Sequence, residues 1–197
     1  MTETLVPEAL RTTLYRAATA LAFCTERFDR ETFRRRGADP TYRKPLHEAE
    51  REVPEPLLAD GFDLVGCGIA RCVLRFPATS SLSELVVKLG RFGVGPVSFG
   101  AVQNKREALV WTRHGESGDW PLVPVADCEQ DRFSWLVMPY GEPITDRPEA
   151  EQQDLLRQVR SRIRFLDPFD MRELFESNIV VVDGTPLVAD YGLPDGL

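Results

Sequence analysis

The stretch Ser83–Gly90 reads SELVVKLG, and no other part of the chain constrains the fold as much. Val86, Val87 and Leu89 make it an apolar strand, yet Lys88 lies inside it. An ammonium group taken out of water without a partner is costly. The strand therefore either lies at a sheet edge, where a lysine discourages aggregation, or supplies Lys88 with a negative partner. Lysine is scarce here: Lys44, Lys88 and Lys105 are the only three among 24 basic residues.

The elements around this strand follow an α+β order. Residues 6–22 put Val6, Leu10, Leu14, Ala17, Ala18 and Leu21 on one helical stripe. A second short helix is expected from Asp29 to the Arg34–Arg36 run, stopped by Gly37. Asp39-Pro40 breaks the chain, and residues 38–60 read as a connector around one short charged helix, LHEAERE. DLVGCGIARCVLRF reads as a strand, a glycine turn and a returning strand, and SELVVKLG is the third strand. After a glycine-rich link, AVQNKREALVWTRHG is helical up to Gly115. PLVPVADCEQDRFSWLVMPYGE gives two strands joined by an acidic turn. Residues 148–166 form a helix with Leu155, Val159 and Ile163 on its buried stripe, and a hairpin around Asp183-Gly184 follows. The expected division is an N-terminal helical extension and connector over 1–60, then a main domain over 61–197.

Composition removes several function classes. The chain has 197 residues and a net charge of −7, which repels nucleic-acid backbones on average. No apolar run approaches the roughly 18–20 residues of a membrane span. The opening MTETLVPEAL is acidic and lacks the features of a secretory signal, so a cytoplasmic location is expected. Cys24, Cys67, Cys72 and Cys128 form no CxxC pair, and only His47 and His114 could join them. Reduced, buried thiols are expected rather than a zinc site. Ser117 in HGESG lacks the strand-turn-helix setting of a hydrolase nucleophile and reads as an ordinary loop.

Taken singly, Lys88, Glu107, Asn178 and Asp190 have ordinary explanations: an edge lysine, a solvated helix face, and turn or cap chemistry. Taken in order, the set resembles the protein-kinase superfamily over roughly residues 60–192. VVKL is similar to the strand whose lysine holds ATP phosphates, and Glu107 stands where the family has the helix glutamate that pairs with it. GCGIARCV resembles the glycine-rich loop G-x-G-x-x-G-x-V, keeping Gly66, Gly68 and Val73. WLVMPYGEP is similar to the hinge between lobes, with Met138 near the gatekeeper. MRELFESN lies along H-R-D-L-x-x-x-N, and ADYG stands where the family has D-F-G.

The resemblance implies a five-stranded antiparallel N-lobe sheet with a helix over 61–138, a hinge at 139–143 and a reduced helical C-lobe over 144–197. It implies ATP and Mg²⁺ as cofactors. Gly66, Gly68, Lys88, Glu107 and Met138 would bind the nucleotide; Asn178 and Asp190 would hold the metal. Glu173 would serve as base, with Lys88 and Asp190 completing the catalytic set. The departures are specific. Met171 replaces the family's histidine and Glu173 its catalytic aspartate, with Asp170 three residues earlier. Arg71 replaces the third glycine of the loop, where it either stiffens the loop or touches phosphate itself. On this resemblance, the helices that follow the D-F-G position in the family are expected to lack a counterpart. Two activities fit: a slow phosphotransferase acting on itself, a protein or a small molecule, and a pseudokinase or scaffold that works by binding a partner. The 6–22 stripe is expected to pack on the main domain or to form a homodimer.

Overall fold

The structure is a computed structural model that describes residues 5–24, 54–68, 70–91, 99–118, 120–163 and 174–192. The expected helices over 29–36 and LHEAERE lie outside these residues, as does Glu173. Helix α1 is Glu8–Cys24 and a short α2 is Glu55–Ala59. Strands β1 (Asp63–Cys67), β2 (Arg71–Arg75) and β3 (Leu85–Gly90) follow. Helix α3 (Phe99–Val110) runs into a π turn, Trp111–Gly115. Then come β4 (Asp127–Cys128), β5 (Trp135–Pro139), β6 (Glu142–Pro143) and helix α4 (Glu149–Arg162). The hairpin is β7 (Ile179–Val182) and β8 (Thr185–Val188).

The main sheet has five antiparallel strands in the order β1-β2-β3-β5-β4, with α3 inserted between its third and fourth strands in sequence. Lys88 is therefore not on an edge: β3 is the middle strand, with Lys88 between Val73 and Leu136. Side chains alternate along a strand, and here both faces are covered. Val87 and Leu89 point to the back, where Val6, Leu14, Ala17, Ala18 and Leu21 of the α1 region bury against them, with Trp135 and Val137. Val86 points to the front, packing with Leu136, Met138, Val159, Ile179 and Val188. The 6–22 stripe thus covers this chain's own sheet.

Polar contacts fix α1 in register. Asp127 accepts from the Val6 backbone N–H at 2.9 Å and from Arg11 at 2.7 Å, while Arg132 donates to the Tyr15 hydroxyl at 2.6 Å. A lysine-free, acid-anchored helix end of this kind needs partners far away in sequence, which is why periodicity alone indicated the stripe and not its seat.

Three details depart from the sequence reading. The α4 stripe uses Leu156, Val159 and Ile163, with Leu155 only partly buried. Glu142 and Pro143, within the segment expected to be a hinge, form a third strand beside the hairpin, giving a β6-β7-β8 sheet. Gly141 makes this approach possible, since a Cβ there would lie 2.5 Å from the Val180 side chain. Finally, Cys67 and Cys72 form a disulfide, so they are not the reduced thiols expected from their spacing. The β1–β2 hairpin sets them directly opposite one another, a pairing the absence of CxxC does not exclude. Cys128 is free and buried. Among the described residues no helix is long and apolar enough to cross a membrane.

Candidate functional site

Lys88 follows the front face of β3 by the same period that places Val86 there, and α3 lies across that face. Glu107 is on the inner side of α3 and is 0% exposed. The two meet as a two-pronged pair, Lys88 Nζ donating to Glu107 Oε1 at 3.0 Å and Oε2 at 2.9 Å. Lys88 also donates to the Ala189 carbonyl. Burial pushes the Lys88 ammonium below its usual range, and Glu107 works against that shift. Glu107 is therefore no solvated helix residue; it is the buried partner that an interior Lys88 requires.

The segment after β8 closes the site. The Tyr191 backbone N–H donates to Glu107 Oε1 at 3.3 Å, and its phenol, buried in the front core, donates to the Val123 carbonyl at 2.8 Å. That carbonyl is available because residues 121–123 run beside β8. Burial, with Glu107 close by, drives the Tyr191 hydroxyl's ionisation far upward, so it remains a neutral donor. Gly192 lies so close to α3 that a Cβ would sit 2.4 Å from the Gln103 carbonyl and 2.8 Å from Glu107 Cγ. The glycine in Asp190-Tyr191-Gly192 is thus required by close approach to the helix.

Arg71 completes the arrangement. It starts β2 and has only 7% exposure, with its guanidinium 2.8 Å from Glu107 and 2.5 Å from Asp190 Oδ1. Burial would lower its ionisation, but Glu107 and Asp190 outweigh burial and raise it, keeping it charged. Burial would raise the Asp190 carboxyl, but Arg71 and Lys88 prevail and hold it below 3.8. Two cations and two carboxylates therefore cancel in one small volume. Asn104, fully buried, braces it: its amide donates to the Phe133 carbonyl at 2.9 Å and the Lys88 carbonyl at 3.3 Å, and its oxygen faces Arg71 at 3.5 Å.

The structure brings together Lys88, Glu107 and Asp190. Asn178 and Asp190 lie at the open end of the β7–β8 hairpin, joined through the Ala189 N–H and the Asn178 carbonyl at 2.8 Å. Met138 is a buried residue near the end of β5. Gly66 and Gly68 have open space where a side chain would start, so nothing within the described chain explains them sterically. The Gly68 N–H closes the loop onto the Arg71 carbonyl at 2.9 Å. Sequence reasoning did not single out Asn104; a polar residue one turn before Glu107, on the same helical face, was the available signal.

The two expected cofactors fit differently. For a polyphosphate the chain offers Lys88 and Arg71 beside the β1–β2 turn, both buried and both already paired with carboxylates that a phosphate would have to displace. A divalent ion at Asp190 meets a carboxylate oxygen already held by Arg71, and no cluster of three or more histidine, cysteine or acidic side chains suited to a metal exists among the described residues. Compared with known proteins, the chain matches no family model and no curated sequence.

Proposed function

We propose that this chain is a kinase-like nucleotide-binding protein that holds a nucleoside triphosphate between the glycine loop of β1–β2 and the hairpin end at Asn178 and Asp190. The observation that carries the reading is the buried Lys88–Glu107 pair, closed from below by Ala189-Asp190-Tyr191. A buried lysine and glutamate are poor stabilisers compared with apolar residues of the same size, so their presence in a central strand and helix favours a working role. On this reading Lys88 exchanges its Ala189 contact for a phosphate oxygen while Glu107 keeps it oriented. Asn104 and Gly192 hold α3 at the distance that the pair requires. The open Gly66 and Gly68 leave their backbone free to approach phosphates.

Binding and orientation are what these residues supply. Phosphoryl transfer would in addition need a base, for which the sequence offers Glu173. Calorimetric titration with ATP tests the binding reading: wild type is expected to bind, and Lys88→Ala to weaken binding at least about tenfold. No binding at millimolar ATP would leave the scaffold reading, in which the fold serves a protein partner alone. If ATP binds, slow autophosphorylation that disappears in Glu173→Ala would favour the phosphotransferase.

A further inference from the structure

The position that the kinase resemblance gives to Mg²⁺ is, in this chain, in contact with a side chain from the start of β2. Arg71, at the start of β2, takes Asp190 Oδ1 at 2.5 Å, while its other arm rests on Glu107 at 2.8 Å. We infer that Arg71 is the resident cation of this site: it keeps divalent ions off Asp190, and the site takes the triphosphate of a nucleotide free of metal.

Three observations carry this. The charges of Arg71, Lys88, Glu107 and Asp190 already cancel, so a divalent ion added at Asp190 would face two buried cations with no uncommitted carboxylate to offset it. The backbone that carries Arg71 is held on both sides. Its strand is tied to β3 from Arg71 to Arg75, and the neighbouring Ala70 carbonyl accepts from the Arg91 N–H at 2.8 Å. The start of α3 packs on that carbonyl so tightly that a Cβ on Gly100 would lie 1.9 Å from it. Lastly, the pair is open to a ligand at one end only: the Asp190 side chain is 41% exposed against 7% for Arg71. A phosphate arriving there meets the Asp190 carboxylate first and reaches the Arg71 guanidinium by displacing it, exchanging one set of anionic oxygens on the guanidinium fork for another.

The inference rests on the nucleotide reading for its ligand, but its metal half is tested without nucleotide. Mn²⁺ is titrated into the full chain and followed by electron paramagnetic resonance. Wild type is expected to take up no ion at submillimolar concentration. Arg71→Gln should create a site, and Arg71→Gln/Asp190→Asn should lose it. Arg71→Lys, which keeps the charge, should still exclude the ion and serves if the glutamine variant does not fold. ATP is then titrated calorimetrically in EDTA and in Mg²⁺. Wild-type affinity should agree within about threefold, and Arg71→Gln should lose at least about tenfold in EDTA and regain it with Mg²⁺. Wild-type Mn²⁺ binding that Asp190→Asn abolishes would overturn the inference. So would a tenfold loss of wild-type ATP affinity in EDTA, or a folded Arg71→Gln variant that gains no ion. If ATP fails to bind under either condition, the nucleotide reading falls, while the Mn²⁺ result still decides the role of Arg71.

Discussion

Replacing Glu107 by alanine should be among the most damaging single changes to this chain. The carboxylate is fully buried and receives Lys88 at 3.0 and 2.9 Å, Arg71 at 2.8 Å and the Tyr191 N–H at 3.3 Å. Without it, Lys88 and Arg71 share only Asp190. Removing one partner of a buried ion pair costs about 3–5 kcal/mol. Leaving the Tyr191 N–H without its acceptor adds roughly 1–3 kcal/mol. A total near 5 kcal/mol is a large part of the roughly 5–15 kcal/mol that holds a typical domain together. For a chain of this length it lowers Tm by roughly 10–20 °C. Lys88→Met should cost far less, because Glu107 retains Arg71. Lys88→Met/Glu107→Leu removes one charge of each sign, leaves Arg71 with Asp190, and should recover much of the loss. Urea denaturation of the four proteins, followed by circular dichroism, ranks their stabilities, and adding the Glu107→Leu single variant closes the cycle and gives the coupling energy. A Glu107→Ala cost below about 1 kcal/mol, or a double variant no more stable than Glu107→Ala, would refute the view that Glu107 is the shared buried counter-ion.

Other outcomes follow from separate parts of the molecule. Because the folded Asp190 carboxyl is held below 3.8, its contribution to stability is complete above that value and is lost as pH falls through the lower folded one. Urea melts across the acid range should show this loss, and Asp190→Asn should flatten it. Gly100→Ala, which would force a methyl to within 1.9 Å of the Ala70 carbonyl, should displace the glycine loop and lower Tm even though alanine favours helices. Leu14→Ala empties a fully buried position between α1 and the sheet and should cost about 2–5 kcal/mol in a denaturant melt. Reducing the Cys67–Cys72 bridge, which spans five residues, should cost about 2 kcal/mol. Thiol titration before and after treatment with a dithiol reports the bridge itself.

Local signals were sufficient wherever one element answers for itself. The α1 stripe, the glycine turn between β1 and β2, the apolar β3 and the Asp183-Gly184 hairpin were all legible, because period and turn chemistry are properties of short windows. The Gly184 turn has positive φ at both Asp183 and Gly184, as that dipeptide leads one to expect. What short windows do not contain is the neighbour across a fold. Leu155 and Leu156 are adjacent and equally apolar, and only the hairpin's position selects Leu156. Glu142 and Pro143 become a strand because Gly141 lets the chain approach Val180. The same division runs through the site. Lys88 announced itself by being charged in an apolar strand, and it was the kinase resemblance that named Glu107 as its acid. Arg71 was noticed as a departure from a glycine pattern, yet its grip on Asp190 joins residues 119 positions apart. Asn104 offered only its place one turn before Glu107.

The docking of α1 has a consequence for how the chain acquires its fold. The contacts that seat the helix link residues 121, 116 and 117 positions apart: Val6 and Arg11 to Asp127, and Tyr15 to Arg132. During synthesis the helix therefore leaves the ribosome well before the strands that receive it exist. Its apolar stripe must wait in water, or on a chaperone, until β5 has emerged. Closing so long a loop is slow because its entropy is lost before the contacts form. The back of the sheet should accordingly be among the last surfaces to be sealed. The period before sealing is when this chain is most exposed to aggregation.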